Sequence, residues 1–184
     1  KNRIADPTIT LLTATSVLKE MPLNTIAPIV GPRRPAEDDF VAWSKIARHV
    51  CDAMKTVSGG GLSLDRSTWP ECARVMLTDS AMKRFDLIKE IQSRVQTIFD
   101  KEDLHLFELQ QLELLSNKQE LELGSIQRVV VVGASDLAGI ATQLLDRMSQ
   151  QGVAVDVLIR APESESAGFD SHGCIDTSSW IEVE

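Results

Sequence analysis

A run of four valines at positions 129–132 constrains the fold of this chain more than any other segment. β-Branched residues favour strands, and a run that is apolar on both sides is typical of a strand covered on both faces. A second strand is predicted at 153–159, where Val153, Val155, Val157 and Ile159 alternate with other residues. Because the segment between them has helical spacing, the sequence predicts a β-α-β unit with parallel strands and a right-handed crossover.

The helix of this unit has one apolar face, formed by Ile140, Leu144, Leu145 and Met148. Ser135 or Asp136 is the predicted N-cap. Gly152 lies where a helix C-terminus favours a residue with positive φ. Parallel sheets bind ligands at the carboxyl ends of their strands, so the ligand edge is expected at residues 133–136 and 161–170.

The composition narrows the class of protein. Among 184 residues, 19 are basic and 27 acidic, and the net charge of −8 argues against this chain holding nucleic acid alone. The three cysteines have no close-paired spacing, and we expect reduced thiols and a cytoplasmic location. No apolar run reaches the roughly 18 residues of a membrane span. Since the chain begins at Lys1 without Met, we expect a piece of a longer protein.

The first 35 residues combine a predicted core segment with a connector. A short strand is predicted at 9–12, followed by a brief helix that Thr13 caps and that ends before Pro22. Residues 21–35 are predicted to form a connector, because four prolines and a glycine disfavour a regular helix. Arg33 and Arg34 in this connector are either solvated loop charges, which we favour, or phosphate contacts.

The middle of the chain is predicted to be helical. The predicted helices span 35–57, 68–76, 79–99 and 101–117, with Ser67 or Thr68 capping the second, Pro70 in its first turn, and Asp79 capping the third. Trp43 and Cys51 are predicted core residues. The resulting order is an α/β core segment at 1–30, a helical insertion at 31–120, and a second core segment at 121–184.

The motifs of nucleotide-binding and catalytic sites are incomplete. The turn at 133–139 lacks a dinucleotide fingerprint, since Ser135 and Ala138 occupy its second and third glycine positions. There is no phosphate loop and no nucleophile motif. Gly133, Ser135 and Asp136 are therefore candidate residues of a degenerate nucleotide site only, and Asp136 is predicted to cap the helix.

The loop after the second strand could be drawn as a metal site with four ligands: Asp170, His172, Cys174 and Asp176. Their spacing matches no helical or knuckle pattern of metal ligands, so we predict no metal and no cofactor. His49 and His105 are predicted to lie on polar helix faces. The sequence by itself therefore predicts no self-contained active site.

A family pattern runs through the C-terminal segment. The strand, glycine, polar turn, helix and second strand are followed by Ala161, Pro162, Glu163, Phe169, Asp170, Gly173 and Trp180. This order resembles the AddB-type subunit of bacterial helicase–nucleases, and more closely their relatives described as inactivated superfamily I helicases. Weaker similarity covers residues 8–21, the acidic residues 37–39 with Trp43, and residues 103–115.

The resemblance implies a partial RecA-like parallel sheet core, of the P-loop NTPase type, with a helical insertion. It places Gly133 and Ala134 where an active helicase carries its magnesium-binding Asp-Glu pair, and residues 161–163 where active members carry a Gly-Asp…Gln motif. It therefore implies an inactive scaffold of a DNA repair assembly, with a partner helicase subunit. A PD-(D/E)xK nuclease domain and contact with single-stranded DNA would belong to the parent protein.

Two alternatives come from other classes. The β-α-β unit and its Gly-Ala-Ser turn suit a small Rossmann-like enzyme that uses a nicotinamide cofactor. The Glu- and Leu-rich helices suit a protein-interaction module, which would present an exposed apolar patch.

Overall fold

The structure is a computed structural model that describes residues 3–69, 71–116, 121–134 and 136–176, without the side chains of Cys72 and Ala73. The chain divides into two compact units, Lys1–Leu114 (unit 1) and Leu115–Glu184 (unit 2). The described elements confirm the predicted mixed α/β class. No helix among these residues combines the length and apolar character needed to cross a membrane.

Unit 1 is mainly helical. Its elements are β1 (Arg3–Ile4), α1 (Pro7–Glu20), α2 (Leu23–Val30), α3 (Phe40–Gly59), a 3-10 turn (Arg66–Thr68), α4 (Glu71–Val75), α5 (Asp79–Asp100), β2 (Leu104–His105) and α6, which begins in unit 1 (Phe107–Ser116). Helices α1, α3 and α5 pack against one another, and α2 packs against α5.

The core of unit 1 joins the apolar faces of these helices. Trp43 and Phe99 are its two largest enclosed side chains, 0% and 2% exposed, and Leu106 of the segment after α5 is also fully buried. The other members include Leu18, Ile26, Val50, Met54, Ile91 and Val95. The helical periodicity of the middle segment and the core position of Trp43 are thus confirmed, while Cys51 is half-buried at the margin of the core.

Side-chain caps explain where the helices begin. The Asp6 carboxylate accepts a hydrogen bond from the Thr8 N–H at 2.7 Å, and Pro7 occupies the first helical turn. Helix α1 therefore starts before residues 9–12, and the predicted strand there is wrong. Asp39 caps α3 through the Ala42 N–H at 2.9 Å, so the predicted start near residue 35 is also wrong.

The predicted cap of α5 also changes. Thr78, one residue before Asp79, accepts the hydrogen bond from the Ala81 N–H at 3.2 Å. Asp79 instead lies in the first turn, where its negative charge suits the positive end of the helix.

The segment predicted as a connector contains a helix. Pro22 lies at the N-cap of α2, where a missing N–H costs nothing, and Gly31 ends the helix with φ of 79°. Pro28 lies inside α2, and Ile26 of this helix is fully buried. Burial of an apolar side chain here outweighs the proline signal that predicted an irregular segment.

The guanidinium of Arg34 caps the C-terminus of α1. It donates to the carbonyls of Lys19 and Met21, at 2.7 Å for Met21. The same group lies 5.1 Å from the centre of the Trp43 ring. These contacts satisfy terminal carbonyls of α1 and place a cation at its negative end.

The predicted helix at 101–117 is interrupted by a strand. Asp103 has φ of 53°, which ends the helical path, and Leu104–His105 then pairs in parallel with Arg3–Ile4. The side-chain amide of Gln96 in α5 accepts a hydrogen bond from the Leu106 N–H at 3.0 Å and donates one to the Leu104 carbonyl at 3.3 Å. Backbone pairing and the hydrogen bonds of Gln96 together outweigh the helix propensity of this segment, so residues 104–105 form a strand.

Unit 2 contains the predicted β-α-β unit. Its elements are β3 (Arg128–Val132), α7 (Gly139–Gln150), β4 (Ala154–Leu158) and a 3-10 helix (Glu163–Gly168). Strands β3 and β4 pair in parallel, with Arg128 opposite Ala154 and Val132 opposite Leu158. Gly152 has φ of 87° just after α7, which confirms its predicted role.

Two expectations for unit 2 are wrong. The valine strand is not covered on both faces, because Val130 and Val132 are 48% and 72% exposed. The N-cap of α7 is Ala138, which makes no side-chain hydrogen bond, so Asp136 does not cap the helix. Ser135, the other predicted cap, lies outside the described residues.

The described strands form two separate two-stranded sheets, β1–β2 and β3–β4. The assignment of residues 1–30 and 121–184 to one RecA-like core, with 31–120 as an insertion, stays a prediction.

Candidate functional site

The predicted ligand edge of unit 2 is present at the carboxyl ends of β3 and β4. Gly133 ends β3 with φ of 64°, and its N–H donates to the Leu158 carbonyl at 2.9 Å. A β-carbon at Gly133 would meet no atom within 4 Å, so this side of the turn is open. Asp136 is exposed in the turn. Of the three candidate nucleotide-binding residues, the structure thus describes Gly133 and Asp136, and Ser135 lies outside.

The loop at 168–176 folds onto β4 at the same edge. Phe169 and Ile175 form an antiparallel bridge, and the Asp170 N–H donates to the Cys174 carbonyl at 2.9 Å. Gly173, at the turn of this loop, is buried with φ of 78°. A β-carbon there would lie 2.4 Å from Cγ1 of Val157, so only glycine allows this close approach of the loop to the strand.

The polar side chains of this loop hold its own backbone and its neighbours. The Asp170 carboxylate accepts the His172 and Cys174 N–H groups at 2.8 and 2.9 Å. The Cys174 sulfur accepts the Leu137 N–H at 3.3 Å, which joins the loop to the turn before α7. His172 Nε2 lies 2.8 Å from Oδ1 of Asp146 on α7.

These contacts bear on the metal site that the sequence suggested at residues 170–176. Across the described part of the chain, no group of three or more histidine, cysteine, aspartate or glutamate side chains converges on a point where an ion could bind. The side chains at 170, 172 and 174 each bind a different partner within the loop or next to it. Their role in the structure is to stabilise the loop.

The remaining family residues also have structural positions. Pro162 precedes the 3-10 helix at Glu163–Gly168 as its N-cap, and Glu163 is exposed in the first turn of that helix. Ala161 is exposed before it. Trp180 lies outside the described residues. Neither Gly133 nor Ala134 offers a charged group to this edge.

Unit 1 contains a cleft that the sequence did not predict. Its volume is about 640 Å³, and it lies among β1, the start of α1, one face of α3 and the start of α6. The apolar part of its lining is Ile4, Ala5, Pro7, Leu11 and Phe107. Thr10 and Cys51 add small polar groups to the lining.

The cleft also has a charged rim. Arg48, Asp52 and Lys55 come from α3, and Glu108 from the first turn of α6. Within the described ranges, none of the four forms a salt bridge. Burial, followed by the negative charges of Glu108 and Asp52, raises the pKa of the Cys51 thiol to about 11. The thiol is therefore protonated at neutral pH and is a poor nucleophile.

The sequence contained a partial signal for this cleft. One face of the helix at 40–59 carries three charged residues together with Cys51, at positions 48, 51, 52 and 55. Because Cys51 was assigned to the core, this face was not considered as part of a site. The opposite wall is formed by β1 and α6, which are about 50 residues away on either side, and no local pattern could have paired them.

Of the two predicted surface histidines, His49 is exposed, and His105 is a half-buried strand residue whose Nδ1 lies 3.3 Å from Gln96 Nε2.

Comparisons with models of protein families, with curated proteins and with solved structures found no match to this chain.

Proposed function

We propose that this chain is a catalytically inactive, helicase-like scaffold of a DNA-processing helicase–nuclease related to the AddB type. One observation carries the inactive part of this proposal. At the carboxyl edge of β3 and β4, where a parallel sheet binds its ligand, the loop at 168–176 lies against β4, with Gly173 in contact with Val157 and Ile159.

The chemistry of the edge supports the same conclusion. Phosphoryl transfer needs a carboxylate that reaches magnesium from the strand end, and the residues that directly follow β3 are Gly133 and Ala134. The nearby acid Asp170 accepts two backbone hydrogen bonds within its own loop. A fold of this kind keeps its shape through packing, which does not require catalytic carboxylates.

A scaffold role also agrees with the charge of the chain. The net charge of −8 disfavours independent binding of nucleic acid, so contact with single-stranded DNA would depend on other parts of the assembly. We therefore expect weak binding of DNA by this chain alone.

The test measures nucleotide and DNA binding on the full chain. Titration with a fluorescent ATP analogue and Mg²⁺, together with a phosphate-release assay, should give no saturable binding and no turnover, both for the wild type and for Asp136→Ala. Anisotropy of a labelled oligothymidine of about 20 nucleotides should rise only at low salt.

Three results would contradict the proposal. ATP turnover that Asp136→Ala abolishes would show an active nucleotide site. Tight, salt-resistant binding of the oligothymidine would show a self-contained DNA-binding protein. Saturable binding of NADH would instead favour a Rossmann-like enzyme.

A further inference from the structure

The small sheet of unit 1 has one backbone edge that nothing in the described chain covers. In the β1–β2 pair, the N–H groups of Arg3 and Ala5 donate to the carbonyls of Asp103 and His105 at 3.3 and 2.9 Å. Since successive residues of a strand direct their backbone groups to opposite sides, the N–H and C=O of Ile4 face away from β2.

The other edge of this sheet is closed by a side chain. The amide oxygen of Gln96 accepts a hydrogen bond from the Leu106 N–H, and its amide nitrogen donates one to the Leu104 carbonyl. The amide of Gln96 thus takes the place of a neighbouring strand beside β2. The sheet can therefore gain a strand only at the β1 edge.

The open edge lies beside the cleft of unit 1. Ile4, which is half exposed, belongs to both, and Phe107 lines the cleft with 43% of its surface exposed. A volume of about 640 Å³ is ample for a large apolar side chain. An unpaired strand edge beside an apolar cleft is the arrangement that recognises extended peptides by strand addition.

We propose that the β1 edge and this cleft bind an extended peptide of a partner protein, which adds a strand beside Ile4 and inserts one large apolar side chain into the cleft. The inserted residue is flanked by charged residues of both signs. The site goes beyond the scaffold role and does not depend on it.

The charges of the rim favour a peptide over a small ligand. Arg48 and Lys55 are cations, Asp52 and Glu108 are anions, and none forms a salt bridge among the described residues. A fatty acid would match the cations alone, and an amine the carboxylates alone. A peptide can carry both charges, and its backbone also supplies a donor and an acceptor for the Ile4 backbone groups, which have no partner among the described residues.

The Cys51 thiol fits a binding role better than a covalent one. Since burial and the two carboxylates hold its pKa near 11, the thiol is neutral when the cleft is occupied at physiological pH. It then contributes a small, weakly polar surface to the lining of the cleft.

The probe is a fluorescein-labelled peptide of sequence Ser-Lys-Val-Leu-Val-Glu-Ser, titrated against the full chain by anisotropy. We expect saturable binding. Ile4→Pro removes the outward N–H without touching the β1–β2 hydrogen bonds, and should weaken binding by about 3- to 10-fold, the value of one hydrogen bond. Its matched control, Ile4→Ala, loses the same side chain but keeps the N–H.

A second pair of variants tests the cleft. Phe107→Arg places a charge on its wall and should weaken binding more than 10-fold, whereas Leu12→Arg changes an equally exposed residue of α1 outside the lining. Hydrogen exchange followed by NMR gives an independent readout: the Ile4 amide should become protected only when the peptide is present.

The opposite results are clear. The proposal is overturned if the peptide does not bind at millimolar concentration, or binds Ile4→Pro and Ile4→Ala equally. Binding of decanoate in the cleft without peptide binding would assign the cleft to a lipid-like anion. Binding unchanged in Phe107→Arg would place the peptide elsewhere.

Discussion

Unit 1 and unit 2 use similar apolar residues but are stabilised in different ways. Unit 1 encloses large side chains, with Trp43 and Leu106 fully buried among its helices. In unit 2, Val132 and Leu158 on paired strands are 72% and 55% exposed. The buried apolar residues in its described part are Leu145, Met148 and Val153.

The difference shows that a strongly apolar sequence does not by itself make a thick core. The order of unit 2 depends more on backbone geometry: parallel pairing of β3 with β4, positive φ at four glycines, and a loop anchored by Asp170. Unit 1 should therefore respond most to loss of side-chain volume, and unit 2 to loss of backbone freedom.

The largest effect is expected from Trp43→Ala. The ring is fully buried, its Nε1 donates to the Ala36 carbonyl at 2.9 Å, and Arg34 lies against its face. Removing it leaves a large cavity and should lower the free energy of unfolding of unit 1 by about 3–5 kcal/mol. Urea unfolding followed by circular dichroism measures this change.

The control on the same helix is Phe40→Ala. Phe40 is 52% exposed, and its truncation should change stability by about 0.5 kcal/mol or less. Equal losses for the two variants would show that unit 1 lacks the tight core described above, and would remove the contrast with unit 2.

An intermediate effect is expected from Gly173→Ala in unit 2. The added methyl group would lie 2.4 Å from Val157 Cγ1, on a backbone with φ of 78°. The clash and the left-handed backbone should together cost about 2–4 kcal/mol and release the loop from β4. Hydrogen exchange of the amides of β4 measures the loss.

Gly133→Ala separates the two causes. This glycine also has positive φ, at 64°, but its β-carbon would meet no atom within 4 Å. Only the backbone cost of about 1–2 kcal/mol should remain. If both variants lose the same stability, contact of the loop with β4 contributes nothing, and backbone conformation alone explains Gly173.

The β-α-β unit could be predicted because its signals are local. Valine runs, a helical apolar face and Gly152 each act over a few residues, and the structure has parallel β3 and β4 around α7. The strand at 104–105 could not be predicted, because it pairs with Arg3–Ile4, which is distant in sequence, and is held by the Gln96 side chain of the preceding helix. Local propensity is overridden by such contacts.

The candidate site shows the same division. The position of Gly133 at the end of β3 follows from the strand pattern, and its positive φ agrees with the predicted turn. The inward packing of Gly173 required knowledge of how the loop folds back on Val157. The cleft of unit 1 was missed because its walls come from β1, α3 and α6, which only the folded chain brings together.

The last prediction concerns ionisation of the Cys51 thiol, which tests the electrostatics of the unit 1 cleft. With a pKa of about 11, about 0.1% of the thiol is ionised at pH 8, against about 10% for an unperturbed cysteine with a pKa of 9.0. Alkylation by iodoacetamide at pH 8, followed by peptide mass spectrometry, should therefore be about 100-fold slower than for a free thiol. The rate should rise with pH up to about 11.

Substitution of a rim carboxylate separates charge from burial at Cys51. Burial is the largest cause of the raised pKa and Glu108 the next, so Glu108→Gln should lower the pKa and speed alkylation at pH 8, while Glu102→Gln should not. The raised pKa of Cys51 also makes the stability of the folded state depend on pH. The folded state holds the thiol proton more tightly than the unfolded state, so this contribution is complete below about pH 9 and is lost as pH rises towards 11. A thiol that reacts in the folded chain with a midpoint near pH 9 would show that the cleft is open to water, and the enclosed character of unit 1 would not extend to this wall.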